Sequence, residues 1–244
     1  FRDALVKAFG HRDYSLLGRV RVLVDDAGLT IANPGGFVEG INVHNLLTAE
    51  PRGRNPCLMD ALKRTGLAER TGRGIDRIFE GALNYGRPLP DYSRSNRRGV
   101  SVLLPRSVPD KAFVELLAEE RERSGKSMSL DGLLILDKLK SERRCGFDVL
   151  SGSLDMSDQR LRTVLGQLTE AGLVESAGVG ARRTYMLGAK VYRRSGRAME
   201  YVRQSDIDRV RYPELIIELM HEQKSVSKND VMELLHLEEN QAKL

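Results

Sequence analysis

The order of short segments in the second half of the chain constrains its fold more than any other feature. Apolar residues at helical spacing predict one short helix around 130–134 and another at 147–154. A third helix begins at Ser157, a residue type that is preferred at helix N-caps. Two strand-like segments follow, at 173–175 and 184–187. Three helices followed by a hairpin is the order of a winged helix-turn-helix.

The third predicted helix has one apolar stripe and one polar face. At about 100° per residue, Gln159 and Thr163 point nearly opposite the stripe, and Arg160 and Arg162 lie on the flanks. A recognition helix must bury one side and expose its start, and amide and guanidinium groups suit base edges and phosphates. The apolar stripe comprises Leu161, Val164, Leu165 and Leu168.

The predicted hairpin carries two cations at its tip. Arg182 and Arg183 come shortly after Gly180, between the two strands. Guanidinium groups at this position suit phosphates, so double-stranded DNA is the predicted partner. A winged helix that mediates dimerisation or domain contact, without DNA affinity, is the alternative. The predicted DNA-binding residues are Ser157, Gln159, Arg160, Arg162, Thr163, Arg182 and Arg183.

The excess positive charge lies in the first part of the chain. The 244 residues include 39 Lys and Arg and 34 Asp and Glu, and residues 1–110 hold 17 of these basic and 12 of these acidic residues. A basic balance favours an anionic partner. Cys57 and Cys145 form no C-x-x-C pattern, which excludes a disulfide scaffold and gives no zinc signature. No apolar run reaches about 18 residues. We therefore expect a reduced, cytoplasmic protein without membrane contact and, because the sequence starts without Met, a piece of a longer chain.

Helix and strand patterns alternate over the first part and predict an α+β domain. Alternation around Val22 predicts a half-buried strand, which returns at 29–32 after a turn. Asn33-Pro34-Gly35-Gly36 is expected to end the regular structure. The further regular segments are helices at 55–65, 74–85 and 111–123 and a strand at 100–104.

The first predicted helix carries Asp3 and Lys7 one turn apart. The simplest interpretation is an exposed ion pair, worth roughly a few tenths of a kcal/mol. The following residues 11–14, His-Arg-Asp-Tyr, have no nucleophile beside them and are interpreted as a structural hydrogen-bonding cluster. Gly72-Arg73-Gly74 precedes a helix and predicts either a phosphate-binding turn or a plain tight turn. The apolar face of this first helix comprises Phe1, Leu5, Ala8 and Phe9.

Five motifs of the first part, taken in order, resemble a known family. Over roughly residues 1–105 they resemble the C-terminal ATPase-like domain of transcriptional regulators and RecG-related ATP-dependent helicases. In that family winged-helix units commonly follow, and a Schlafen/AlbA-type domain usually precedes. The chain itself lacks a Walker A frame, because Glu120 stands where Gly is needed before Gly125-Lys126-Ser127. The five motifs are residues 2–8 (Arg-Asp-Ala-Leu-Val-Lys-Ala), 11–14 (His-Arg-Asp-Tyr), 33–36 (Asn-Pro-Gly-Gly), 54–56 (Arg-Asn-Pro) and 72–75 (Gly-Arg-Gly-Ile).

The resemblance extends to the histidine-kinase and gyrase ATPase superfamily and implies roles for these residues. In that superfamily a helix supplies a Glu and an Asn, and the Asn binds the magnesium on the nucleotide phosphates. Asp3 and Lys7 occupy these positions here. An ammonium group repels a cation, so we expect no metal, no magnesium-dependent ATP hydrolysis, and direct pairing of Lys7 with a phosphate or another anion. The implied residues for binding ATP or another anionic nucleotide are Asp3, Lys7, Asn33, Gly35, Gly36, Gly72 and Gly74.

These patterns together predict four regions. An ATPase-like α/β sandwich domain covers 1–108, a connecting helix or linker 109–128, a winged helix-turn-helix 129–190, and a second, incomplete winged-helix-like unit 191–244. We predict a DNA-binding transcriptional regulator whose first domain senses a ligand or holds protomers together as a homo-oligomer. A nucleotide-binding protein with weak ATPase activity is one alternative, and an assembly module without DNA affinity is another.

Overall fold

A computed structural model describes residues 1–68 and 72–194, with single residues at 217, 220, 227, 230 and 232. The predicted second winged-helix-like unit lies almost wholly outside these residues. The described chain is a mixed α+β protein with two small antiparallel sheets. It divides into two units, Phe1–Leu134 and Ile135–Leu244, and the bounds of the four predicted regions stay a prediction. None of the described helices is long and apolar enough to cross a membrane.

The first unit is built around a three-stranded antiparallel sheet. Its elements are α1 (Arg2–Gly10), β1 (Arg21–Asp25), β2 (Gly28–Pro34), α2 (Pro56–Arg64), α3 (Gly74–Asn84), β3 (Gly99–Pro105) and α4 (Lys111–Ser124). Strand β2 is central in the order β1-β2-β3, and Ile31 of β2 lies opposite both Val22 and Val102. Helix α1 contacts β2, α2 and α3. The buried core therefore lies between the sheet and α1 and α3, where Ile31, Leu83 and Val102 are almost fully buried.

The helices of the first unit form where their sequence signals predict them. Helix α2 starts with Pro56, whose fixed φ and missing N–H suit a first helical position. Helix α4 starts after Asp110, whose Oδ1 accepts a hydrogen bond from the Phe113 N–H at 3.1 Å. It ends at Gly125, which has a left-handed φ of 69°. The predicted helices over 55–65, 74–85 and 111–123 are confirmed.

Regular structure ends inside the Asn33–Gly36 segment, as expected, but only after Pro34 and not at Asn33. Strand β2 continues through Asn33 and Pro34, which pair with Val100 and Gly99 of β3. Proline is tolerated here because β1 pairs with β2 only as far as Ala32, so at Pro34 the strand has a partner on one side alone. As a result, the buried side chain of Asn33 is held rigidly on the sheet.

The expectation that the strand around Val22 is half-buried is wrong. Strand β1 forms, but all five of its residues are exposed. Val22 and Leu23 expose 48% and 50% of their surface, because β1 is the edge strand and α1 and α3 do not cover it. Alternation in the sequence predicts a strand, whereas burial depends on what packs against it.

The apolar face predicted for the first helix is buried only at Ala8. Ala4 and Ala8 of α1 are buried, whereas Phe1 and Phe9 expose 63% and 46% of their surface. Small alanines allow α1 to approach the sheet closely. Because the alanine side of α1 faces the sheet, Asp3 and Lys7 of the same helix line the cavity of the first unit.

The second unit begins within α5 and contains the second sheet. Its elements are α5 (Leu130–Glu142, which spans the division), β4 (Arg144–Gly146), α6 (Phe147–Leu154), α7 (Asp158–Glu170), β5 (Val174–Ala177), β6 (Thr184–Leu187) and α8 (Ala189–Arg194). The three strands pair in the order β4-β6-β5, and all are antiparallel. The predicted Ser157 cap is confirmed, since its Oγ accepts from the Arg160 N–H at 3.4 Å. The predicted apolar stripe of α7 is buried as expected.

Candidate functional site

A cavity of about 390 Å³ opens in the first unit. It is bounded by α1, by β2 and β3, by the loop at 37–53, and by the turn that begins α3. Its apolar wall includes Ala8, Ile31, Phe37, Val38, Ile41, Tyr92 and Val102. Its charged lining comprises Asp3, Lys7, Glu50, Arg52, Lys63, Arg73 and Asp76. A cavity with a broad apolar wall and a few charged groups suits a small organic anion.

Lys7 brings a positive charge to the start of α3. A Cβ added at Gly74 would lie 3.0 Å from the Lys7 Cε and 3.5 Å from its Nζ. Because Gly74 has no side chain, the space beside it is free for the side chain of Lys7. The unpaired N–H groups of a helix N-terminus attract anions, and an ammonium beside them adds to that attraction.

The charges around Lys7 are only partly balanced. Burial lowers the pKa of Lys7, while Asp76 and Asp3 act to raise it. Asp76 is already paired with Arg73, at 3.5 Å between Oδ2 and Nε. Within the described residues, the Lys7 Nζ makes no hydrogen bond and no ion pair within 4.0 Å. The exposed Asp3–Lys7 pair expected from the sequence is therefore not formed.

His11 lies in the same cavity and is held neutral. Burial, with the positive charges of Lys7 and Arg54, lowers the pKa of His11 to about 4. Near neutral pH the imidazole therefore has one donor and one acceptor nitrogen. The side chain adds hydrogen-bonding capacity to the cavity without adding charge.

The segment 11–14 and the Asn33–Gly36 motif are fixed by Arg54 and Asn55. The Arg54 guanidinium donates to the carbonyls of Gly36, at 2.9 Å, and of His11, at 3.3 Å. The Asn55 Nδ2 donates to the carbonyls of Gly10, at 2.9 Å, and Arg12, at 2.8 Å. The predicted structural cluster after α1 is thus confirmed. Arg54 and Asn55 of the Arg-Asn-Pro motif hold it in place through these hydrogen bonds.

Six of the seven residues predicted to bind a nucleotide line this cavity. Gly35 is the exception, because it packs between Arg54 and Asp13 at a φ of 88°. The sequence did not predict the apolar wall or that Arg52 and Lys63 line the cavity, because no local pattern marks side chains that converge from a separate loop and helix. The six lining residues are Asp3, Lys7, Asn33, Gly36, Gly72 and Gly74.

An aromatic stack supports one side of the cavity. The rings of Tyr92 and Phe79 are parallel within 3°, with centroids 6.3 Å apart. Tyr92 also contacts Phe37, at 6.4 Å between centroids. Burial raises the pKa of Tyr92, so its hydroxyl stays protonated. The stack gives the apolar wall a rigid backing.

The polar face of α7 is exposed, as the sequence predicts. Gln159, Arg160, Arg162 and Thr163 all lie at the surface of the second unit. Thr163 donates to the Gln159 carbonyl at 2.9 Å. The Arg162 guanidinium lies 4.4 Å from the centre of the Phe147 ring and 3.9 Å from the Asp158 carboxylate. Arg162 is therefore held against α6, whereas the side chain of Gln159 extends into solvent.

The loop between β5 and β6 also presents cations. It contains one turn of 3₁₀-helix, Gly180–Arg182, and the side chains of Arg182 and Arg183 are exposed. Gly178 has a φ of 83°, and a Cβ there would lie 2.7 Å from the Arg182 carbonyl oxygen. This close approach places Arg182 and Arg183 opposite Gly178, at the base of the loop beside β6. The two cations are therefore exposed on the loop but do not stand at its tip, where the sequence predicted them.

Part of the first unit matches the model of a known protein family. Residues 18–104 match the family model described as "Putative ATP-dependent DNA helicase recG C-terminal". This part of the chain is similar to a RecG-type ATPase-like domain. The predicted resemblance is thereby confirmed for β1 to β3, while α1, with Asp3 and Lys7, lies before the matched residues.

The fold extends beyond that match. Over 79% of its length the chain shares the fold of the DIP2311 protein from Corynebacterium diphtheriae, with a TM-score of 0.66 and 24% identity. The chain spans 41% of that protein. No curated protein matches the chain.

Proposed function

We propose that the protein is a DNA-binding transcriptional regulator whose first unit binds an anionic nucleotide without hydrolysing it. The observation that carries the nucleotide part is the Lys7 ammonium, which lies inside the cavity beside Gly74 at the start of α3. A partly buried cation without an ion pair is stabilised when an anion joins it. A phosphate group fits this place, and the apolar wall fits a base.

Magnesium does not fit the same place. Divalent cations require several oxygen ligands, and an ammonium next to them opposes their binding. Asp3 and Asp76 are the carboxylates that act on Lys7, and Asp76 is already paired with Arg73. The nucleotide therefore binds through Lys7 and the N–H groups that begin α3, and its phosphates are neutralised by protein cations.

The test of this part is calorimetric titration with ATP and ADP in the presence of EDTA, together with steady-state phosphate release with and without magnesium. We expect binding without turnover. Robust magnesium-dependent release that disappears in Lys7→Ala would contradict the proposal and favour a weak ATPase. An absence of binding to either nucleotide would also contradict it.

The DNA part rests on the arrangement of the second unit. Helices α5, α6 and α7 and the sheet β4-β6-β5 follow the order of a winged helix. Helix α7 buries its apolar stripe and exposes the amide of Gln159 and the guanidinium of Arg160. Two further arginines stand on the β5–β6 loop. These features support entry of α7 into the major groove, with the loop on the phosphate backbone.

The test of this part is fluorescence anisotropy with a selected pool of duplex DNA. If Gln159 or Arg160 contacts a base edge, replacing it with Ala costs about 1–3 kcal/mol and relaxes the preference at one base pair. Thr169→Ala, at the exposed far end of α7, is the matched control and should leave binding unchanged. If no sequence in the pool outcompetes random duplex, the second unit is an assembly module instead.

A further inference from the structure

The charge of the cavity lining limits how much negative charge a ligand can bring. The His11 imidazole is neutral near neutral pH, so the balance is set by the other ionisable side chains. Within the described residues the lining holds four cations and three carboxylates, which leaves an excess of one positive charge. The N-terminus of α3 adds roughly half a positive charge. The cations are Lys7, Arg52, Lys63 and Arg73, and the carboxylates are Asp3, Glu50 and Asp76.

Two of the carboxylates act on the place proposed for the phosphate. Asp76 and Asp3 both raise the pKa of Lys7, so both lie within electrostatic reach of its ammonium. Asp76 stands in the first turn of α3, where its charge already uses part of the attraction of the helix N-terminus. Beside Lys7, a ligand with several negative charges is therefore repelled by two carboxylates.

The second cation at the start of α3 is already engaged. The Arg73 Nη2 lies 2.7 Å from the Glu80 Oε1, and its Nε lies 3.5 Å from the Asp76 Oδ2. Two carboxylates of α3 thus hold this guanidinium and balance its charge. Among the described lining residues at the start of α3, Lys7 is the cation left to pair with a ligand.

The glycine turn before α3 is bordered by two other segments. A Cβ added at Gly72 would lie 2.7 Å from the Pro51 Cγ, so Pro51 packs directly against this glycine. On the other side of Arg73, the side chain of Lys7 occupies the space beside Gly74. Because Pro51 and Lys7 both border this turn, a compact anion fits here better than an extended chain of phosphates.

We propose that the preferred ligand of this cavity is a nucleoside monophosphate, whose single phosphate pairs with Lys7 and the N–H groups at the start of α3. A terminal phosphate carries about −1.5 to −2 charges at pH 7, close to the positive charge that the lining and the helix supply. Further phosphates add negative charge near Asp3 and Asp76, so di- and triphosphates bind more weakly. The inference rests on the proposed nucleotide binding and adds to it the length of the phosphate chain.

The experiment is isothermal titration calorimetry of the full chain in EDTA with two ligand series, AMP, ADP and ATP, and GMP, GDP and GTP. In the series whose base the cavity accepts, affinity should fall with each added phosphate. The triphosphate should bind about tenfold or more weakly than the monophosphate. Equal or tighter binding of the triphosphate would overturn this inference and leave the proposed nucleotide binding intact. If no member of either series binds, both are overturned.

A charge variant tests the cause of the preference. Asp3→Asn removes one of the carboxylates that act on Lys7, so it should strengthen triphosphate binding more than monophosphate binding and narrow the preference severalfold. Glu50→Gln, at an exposed position of the lining, is a second variant that should act in the same direction. Asp60→Asn, at an exposed carboxylate of α2 outside the lining, is the matched control and should keep the preference. An unchanged ratio of the two dissociation constants in both lining variants would overturn the proposal.

Discussion

The two units present their cations in opposite ways. In the first unit Lys7 is enclosed in a cavity, desolvated, and close to the start of a helix. In the second unit Arg182 and Arg183 stand in solvent on a loop. At 4 Å two unit charges interact by about 4 kcal/mol near a protein surface and about 1 kcal/mol in bulk water. If both units bind anions as proposed, the first does so through a few strong contacts inside a cavity, and the second through several weak contacts that salt screens.

The residues that hold the segments around the cavity of the first unit should tolerate substitution far less than the β5–β6 loop of the second unit. Gly35 has a φ of 88°, and an added Cβ would lie 2.5 Å from the Asp13 Cβ and in contact with the Arg54 guanidinium. We expect Gly35→Ala to lower the free energy of unfolding by about 2–4 kcal/mol, from backbone strain and overpacking together. Urea unfolding measures it.

The matched control is Gly180→Ala in the β5–β6 loop. Gly180 also has a positive φ, of 62°, but no atom lies within 4 Å of an added Cβ. It should cost about 1 kcal/mol, the strain alone. Equal losses for the two variants would show that packing around Gly35 does not matter.

The enclosed cation should dominate ligand affinity. Lys7→Met keeps the length of the side chain and removes its charge, and we expect nucleotide affinity to fall by about 2–3 kcal/mol, the value of a charge-assisted hydrogen bond. Isothermal calorimetry without magnesium measures the change. Lys63→Met makes the same replacement at another lysine of the cavity lining and should cost clearly less. A larger loss at Lys63 would move the anion site from α1 to α2.

Local patterns predicted much of this molecule, and their failures have a common cause. The N-cap at Ser157 and the stripe of α7 are properties of neighbouring residues, so the sequence predicted both correctly. Val22 and Phe1 have the residue types of a core but lie where nothing covers them. Ala4 carries a weak hydrophobic signal and was not on the predicted apolar face, but it is buried because its small size permits close packing.

The candidate site divides in the same way. Lys7, Asn33 and Gly74 belong to motifs whose order along the chain resembles a family, and they lie in one cavity. Ile41 and Tyr92 reach that cavity from separate loops, and no spacing in the sequence links them. Gly35 belongs to a predicted motif, but it packs against Arg54 and Asp13 and does not line the cavity. The motifs therefore predicted where the site lies better than they predicted the role of each residue.

The buried imidazole of the first unit should make stability depend on pH. The pKa of His11 is lowered to about 4 from its ordinary 6.5. Between these values the unfolded chain binds a proton that the folded chain does not, so stability is complete above pH 6.5 and falls as pH drops toward 4. We expect this group to account for about 2 kcal/mol of the loss. Urea unfolding at pH 7 and pH 4.5 measures it.

Two variants identify the source of that pH dependence. His11→Gln should flatten the dependence in this window. His44→Gln, at an exposed position in the loop after β2, should leave it unchanged. A flat profile in the original chain would contradict the assignment to His11.

The exposed cations of the second unit should give the smallest effects. Arg182→Ala with Arg183→Ala should weaken binding to all DNA sequences alike and lower the slope of log affinity against log salt by about one unit for each arginine. Fluorescence anisotropy at several salt concentrations measures both. Arg143→Ala, at the end of α5, removes an exposed arginine outside the loop and should keep the slope. If the double variant retains affinity and slope, the loop does not contact DNA.

The most direct test of the central claim is the dependence of nucleotide binding on magnesium. We compare the original chain with the double variant Asp3→Glu with Lys7→Asn, which introduces the Glu and Asn of the superfamily. In the original chain, magnesium should leave ATP affinity unchanged or weaken it, since the Lys7 ammonium lies in the cavity beside Gly74 and repels a divalent cation. In the double variant, magnesium should strengthen binding. If the original chain binds ATP only when magnesium is present, the assignment of Lys7 as the phosphate-binding cation is contradicted.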